Sequence, residues 1–262
     1  MENKNTMVDD AILQSYPLDF GLVIEKSFEN FKKIALLGGI TILLLFLILF
    51  GVVMVFVAAF VGAASNLTET LTDFNPLDLT AVGIFIYVAV VVVITGLFAP
   101  IGAGFLKMAH LAKQDKPFSI GTVFEYYKTH HFKELFIAAS LLTIVNLTLT
   151  TGLEYFGITI IGTVISYIIG FFTFLTVPLI VFGNQTALNA ITKSAQLVVK
   201  QPFIIFGLLI VGFIGILIGL FGLCIGIIFT MPFWYSLTYT IYTHLIPMKE
   251  SSEIEEIGTT FE

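Results

Sequence analysis

The stretch QPFIIFGLLIVGFIGILIGLFGLCIGIIFTMPFWYSLTYTIYTHLIPM, Gln201 to Met248, contains no Asp, Glu, Lys or Arg. As one helix rising about 1.5 Å per residue it would be roughly 70 Å long, more than twice the ~30 Å hydrocarbon core of a bilayer. It must therefore fold back, and the glycines of GLFGLCIG, Gly219 to Gly226, are the only turn its composition offers. The reading is two spans, about 203 to 221 and 225 to 246.

Four more charge-free runs lie upstream: Ile34 to Thr68, Leu79 to Leu106, Leu135 to Leu153 and Tyr155 to Thr192. Of 262 residues 57% are hydrophobic and 11% charged, where a soluble domain carries about 25% charged. The expected fold class is all-α, a polytopic membrane helical bundle. Its six transmembrane helices form three hairpins, with the first four spans at about 34 to 62, 79 to 106, 134 to 151 and 157 to 182. Residues 1–17 are a polar lead, 18–247 a single membrane domain and 248–262 an acidic, solvated tail. The first apolar run is too long and too far from the N-terminus for a cleaved signal segment.

All twelve basic residues are lysines. Lys4, Lys26, Lys32 and Lys33 precede span one; Lys107, Lys113, Lys116, Lys128 and Lys133 lie between spans two and three; Lys193 and Lys200 lie between spans four and five; Lys249 follows span six. The opposite connections, around SNLTETLTDFNPLD and TGLEYFG, have none. The positive-inside rule then places both termini and the lysine-bearing connections in the cytoplasm, in a multi-pass protein of the cell's inner (plasma) membrane.

The segment ALNAITKSAQLVVKQPF, Ala187 to Phe203, is well patterned between two oily runs. Leu188, Ile191, Ala195 and Val198 share one helical face, and Asn189, Lys193, Gln196 and Lys200 the other. It aligns with DFGLVIEKSFENFKK, Asp19 to Lys33, at an offset of 167, matching Lys26, Ser27 and Lys33 to Lys193, Ser194 and Lys200. At an offset of 100, SIGTVFEYYKTHHFK matches Gly21, Val23, Glu25 and Lys33 to Gly121, Val123, Glu125 and Lys133. Asp19, Ser119 and Thr186 are N-cap types, and each copy ends in a lysine at the mouth of a span. In the first copy Phe20, Ile24, Phe28 and Phe31 make the apolar stripe. The expectation is an amphipathic interfacial helix introducing each hairpin, in pseudo-repeats of about 19–106, 119–182 and 186–246. Lys26, Lys33, Lys133, Lys193 and Lys200 are its candidate lipid-headgroup contacts, and anionic lipid the candidate ligand.

The second span of each hairpin carries a proline, Pro100, Pro178 or Pro232, within GLFAPIGAG, TFLTVPLIVFG and IIFTMPFWYS. Each removes one helical hydrogen bond and strains the turn around the carbonyl four residues back, so a static kink is expected at all three. Thr176 and Thr230 stand two residues before their prolines, placed to satisfy freed backbone groups.

The lead DFGLVIEKSFENFKKIALL and the later ALNAITKSAQLVVKQPFIIFGLLI resemble the membrane domain attached to glycerophosphodiester phosphodiesterases and related bacterial six-span proteins. The likeness covers Leu18 to His244 through degenerate motifs. It implies an anchoring or regulatory membrane module. The chain leaves no room outside the membrane for a phosphodiesterase barrel, so no catalytic residue carries over.

Other chemistry is thinly represented. His110, His130, His131 and His244 lack the i,i+4 spacing that aligns two imidazoles, and no metal or cofactor site is expected from them. The one cysteine, Cys224, precludes an intrachain disulfide and reads as packing. No acidic, basic or histidine residue falls at mid-depth, as ion-coupled transport generally requires. Thr143, Asn146, Thr163, Ser166, Asn184 and Gln185 are polar candidates that more often bond between helices. The glycines at 212, 215, 219, 222 and 226 suit close helix packing. Two NLT sequons, at Asn66 and Asn146, carry no weight. No phosphate-cradling loop, nucleophile elbow or nucleic-acid patch is present. The functional expectation is a non-enzymatic scaffold or regulatory module engaging lipid or a membrane protein partner. The alternative is a carrier for a neutral or apolar small solute or lipid.

Overall fold

The structure, a computed structural model, describes residues 4–14, 16–61, 80–222 and 225–247. It is a helical bundle with no strand among the described residues. Five helices are long and apolar enough to cross a membrane: Phe20–Val55, Val82–Lys113, His131–Tyr155, Thr159–Val181 and Pro202–Phe221. Asn66, Cys224, Lys249 and the acidic tail lie outside the described residues.

A short helix, α1 (Lys4–Gln14), leads into α2 (Phe20–Val61). Asp19 starts α2 by accepting the Leu22 N–H on Oδ1 at 2.8 Å. At 42 residues and about 1.5 Å per residue, α2 is roughly 63 Å long. The expected interfacial helix and the first span are thus one rod, because FKKIALL contains nothing that breaks a helix.

The third copy behaves differently. There α7 (Ala187–Lys200) stops at Gln201, which precedes Pro202 and sits at φ −140° and ψ 55° before α8 (Pro202–Leu217) begins. A residue before proline is pushed out of the helical region. In the second copy Ile120–Lys128 is a 3₁₀ turn rather than an α-helix, and Thr129 is extended (φ −105°, ψ 162°) before α4 (His131–Tyr155).

Burial agrees between the first and third copies and only in part with the second, where Tyr127, the counterpart of Ser27, is exposed. Val23, Val123 and Ala190 are equivalent and wholly buried, as are Ser27 and Ser194. The inward face lies about one residue from the expected stripe. In α7 Ala187, Ala190, Ser194, Leu197 and Val198 are buried, while Leu188 is 66% exposed. The buried face of α7 mixes small side chains with Leu197 and Val198, and other apolar side chains of the leads, Phe20, Phe28, Phe124 and Val199, face away. A helix packed on a membrane bundle has a protein face as well as an outer apolar face, and a two-sided pattern merges them.

Each lead element packs on a proline-bearing helix. The 3₁₀ turn lies on α3 (Ala81–Lys113) so closely that a Cβ on Gly104 would collide with the Val123 backbone. Helix α7 lies on α5 (Thr159–Thr173) and α6 (Thr176–Val181), and α2 on α10 (Pro232–Leu245). The second lead meets span two, the third meets span four and the first meets the last apolar helix, so the arrangement closes into a ring.

Helix α10 is the core. Eleven of its residues are buried, among them Ser236, Thr238, Tyr239, Thr240, Tyr242 and Thr243. It follows a 3₁₀ turn at Ile218–Gly222 and α9 (Ile225–Thr230). The backbones of Gly219 and Gly226 are in direct contact, too close to admit a Cβ on either residue.

The prolines sit in three settings. Pro100 lies inside the unbroken α3, Pro178 follows a break at Phe174–Leu175, and Pro232 opens α10 after Met231. At the Pro178 break the wholly buried Ser194 bridges the chain ends: Oγ donates to the Phe172 carbonyl at 2.8 Å and accepts the Leu175 N–H at 3.1 Å. Thr176, expected to help there, has no hydrogen-bond partner for its buried hydroxyl among the described residues. Thr230 instead reaches across to the Ile216 carbonyl, at 2.8 Å.

Candidate functional site: a lysine cleft at one end of the bundle

The start of α2 and the ends of α3 and α10 meet at one end of the molecule. Buried Asn30 donates Nδ2–H to the Ala109 carbonyl at 2.9 Å. Helix α3 then terminates at a turn in which Asp115 takes a positive φ of 54°, a conformation Asp tolerates better than most residues. The turn brings Asp115 back to Lys33, whose Nζ lies 2.5 Å from Oδ1 and 3.1 Å from the Ala112 carbonyl. Other polar contacts join the same end. Glu134 accepts the Ala187 N–H at 2.8 Å at the start of α7, and the Gln201 side chain accepts Leu18 N–H at 2.8 Å and donates to the Tyr16 carbonyl at 2.6 Å.

Between these elements opens a cleft of about 660 Å³, walled by Lys26, Lys32, Lys33 and Lys113. Two of the four ammoniums are neutralised locally: Lys26 by Glu29 at 3.0 Å and Lys33 by Asp115. Lys32 and Lys113 make no ion pair among the described residues and rest against aromatic faces, 5.5 Å from the Phe28 centroid and 6.0 Å from that of Tyr239. Thr240, Thr243 and His244 form the floor. Their protons are already used. Thr240 donates to the Ser236 carbonyl at 2.8 Å, Thr243 to that of Thr240 at 3.1 Å, and His244 Nδ1 to that of Thr240 at 2.8 Å.

The remaining expected lysine contacts are dispersed. Lys193 is mostly buried and paired with Asp9 of α1 at 2.5 Å, while Lys133 and Lys200 are exposed on α4 and α7. Lys107 pairs with Glu125 over the Tyr126 ring. Burial, with a smaller push from Glu125, raises the Tyr126 hydroxyl above its ordinary value, and burial does the same for Tyr127. Both stay neutral, and Tyr127 donates to the Leu97 carbonyl of the Pro100-bearing helix at 2.6 Å.

A second concavity, about 490 Å³ and apolar, lies between α5 and α8, with Tyr167, Phe171, Phe206 and Phe213 on its walls and Trp234 behind. Ser166 lines it, with a buried hydroxyl that has no hydrogen-bond partner among the described residues. Asn146, Thr163 and Gln185 bond to nearby carbonyls, those of Leu142, Thr159 and Gly183, whereas Asn184 meets His130 from a distant part of the chain. The rings of His130 and His131 lie 3.9 Å apart, tilted by 36°, and His110 bonds the Tyr239 hydroxyl at 2.9 Å. Among the described residues no three His, Cys, Asp or Glu converge on a metal-sized site.

Sequence reading singled out Lys26 and Lys33 of the cleft and reached Lys113 only as one of five lysines in its connection; Lys32 as a contact and the α10 floor were missed. Helical spacing cannot show that residues near 30, 113 and 243 share one wall. Comparison with protein-family models, with curated proteins and with solved structures finds no match.

Proposed function

We propose that this chain is a six-span integral protein of the inner membrane, with its lysine end and both termini in the cytoplasm. It serves as a non-enzymatic scaffold or regulatory module that engages anionic lipid or a membrane protein partner. The carrying observation is the lysine cleft, which concentrates four ammoniums at one end of a bundle of long apolar helices. Juxtamembrane lysines are attracted to anionic headgroups by about 1 kcal/mol each. The lead elements add surfaces of two kinds, exposed apolar side chains such as Phe28 and Leu188 beside lysines, which suits residence at the headgroup boundary as interfacial helices. The resemblance to the membrane domain of glycerophosphodiester phosphodiesterases belongs to the same proposal, as an anchoring or regulatory module.

Native mass spectrometry of gently solubilised full-length protein tests this. Co-purifying anionic lipid or a protein partner is the expected result, and a bare protein or a bound soluble metabolite would overturn it. A carrier of a neutral or apolar solute or lipid is the second reading, favoured by the aromatic groove between α5 and α8. It predicts a bound neutral molecule lost on Phe206→Ala with Phe171→Ala.

A further inference from the structure

The cleft has a charge pattern that specifies more than general attraction to a membrane. With Lys26 and Lys33 offset by Glu29 and Asp115, the uncompensated charges facing the cavity are Lys32 and Lys113, contributed by different helices. The floor hydroxyls and His244 Nδ1 donate to backbone carbonyls, leaving ammoniums as the principal free donors. Such a wall reads charge rather than the stereochemistry of a sugar or a peptide. A volume of about 660 Å³ falls in the range of small-molecule sites, about 300–1,000 Å³, and exceeds what a lone phosphate fills. Below the cleft, steps of three and four residues along α2 lead from Lys33 through exposed Leu36 and half-buried Ile40 to exposed Leu44 and Leu47. An apolar track thus runs from the mouth of an anion site along the side of a membrane helix.

We infer that the cleft binds the phosphate of an anionic phospholipid, held between Lys32 and Lys113, with acyl chains along Leu36, Leu44 and Leu47. The inference rests on the membrane reading above. Lys32 and Lys113 act as the two jaws, and Lys26 and Lys33 hold the walls through their own ion pairs. A free phosphate ester offers the same headgroup chemistry without the chains, so the test separates the two.

The full-length protein in mild detergent is titrated with phosphatidylglycerol or phosphatidylcholine, and bound lipid is counted by native mass spectrometry. Lys32→Gln with Lys113→Gln should weaken phosphatidylglycerol binding about thirtyfold, which is about 2 kcal/mol at 1.4 kcal/mol per tenfold. Lys116→Gln with Lys128→Gln removes the same charge from exposed positions outside the cleft and should change binding less than threefold. Lys32→Arg with Lys113→Arg should retain binding, which separates loss of the site from loss of the fold. Equal weakening by the two glutamine pairs would overturn the cleft and leave the broader lipid reading standing. No preference for phosphatidylglycerol in the unaltered protein would overturn both. Glycerol 3-phosphate displacing the lipid at equal concentration would show a free phosphate ester as the ligand and overturn the role of the apolar track.

Discussion

Ser194 shows how one side chain sustains a break in a helix within an apolar bundle. The turn before Pro178 leaves a carbonyl at Phe172 and an N–H at Leu175, and a single hydroxyl from another helix serves both. Ser194→Ala leaves both groups unpaired where no water reaches, at about 1–3 kcal/mol per buried group. The expected outcome is a clearly lower melting temperature in detergent. Ser166 is the contrasting case: its hydroxyl is buried without a partner among the described residues, so Ser166→Ala should be neutral or stabilising in the same assay. Equal losses from the two substitutions would refute this account of Ser194. The Lys193 and Asp9 pair, with side chains 17% and 55% exposed, is partly screened and worth less than about 1 kcal/mol. Lys193→Glu should lower thermal stability slightly, and adding Asp9→Lys should restore it; restoration by reversing Glu125 or Glu134 instead would mean that the pairing is wrong. Lys193 and Ser194 were visible as repeat positions, but their partners Asp9 and Phe172 lie far away in sequence and in no repeat register.

At the scale of elements, the first and third leads share a buried face, the second shares it at Val123, and the three differ in backbone. Local sequence explains two of the differences: FKKIALL lets α2 run on, whereas the Gln201–Pro202 step ends α7. The proline helices differ likewise, since Pro100 is accommodated without a break while the chain breaks before Pro178. Because α7 stitches that break, removing the proline alone should not straighten the span. Spin labels at Ile160 and Asn189 should report an unchanged distance in Pro178→Ala and a changed one only when Ser194→Ala is added. A change in the single proline variant would show that proline imposes the bend by itself, and a distance altered by ligand and fixed by Pro178→Ala would indicate a hinge.

For the whole molecule, the contacts that join Lys33 to Asp115, Glu134 to Ala187 and Gln201 to Leu18 gather the lysine-rich segments at one end. In a Cys224→Ser background, a cysteine at Glu154 should react with an impermeant reagent outside sealed cells and one at Gln114 should not. Labelling at Gln114 would reverse the orientation. The sequence by itself determined the class of fold. Charge-free runs at least about as long as a bilayer core is thick must become helices that satisfy their own backbone, and lysines confined to alternate connections divide those helices into two ends. The expectation of a repeat also came from the sequence, in which an N-cap type of residue, a lysine and a span recur in order. Only the tertiary structure decided which face of each lead turns inward, since an apolar residue suits protein and lipid equally well. Tertiary packing also placed WYSLTYTIYTHL, the most hydroxyl-rich of the apolar helices, at the centre, where Ser236, Thr240 and Thr243 donate to carbonyls inside the protein. The cleft belongs to that second category: Lys32, Lys113 and His244 acquire a common wall when the first lead closes against the last helix.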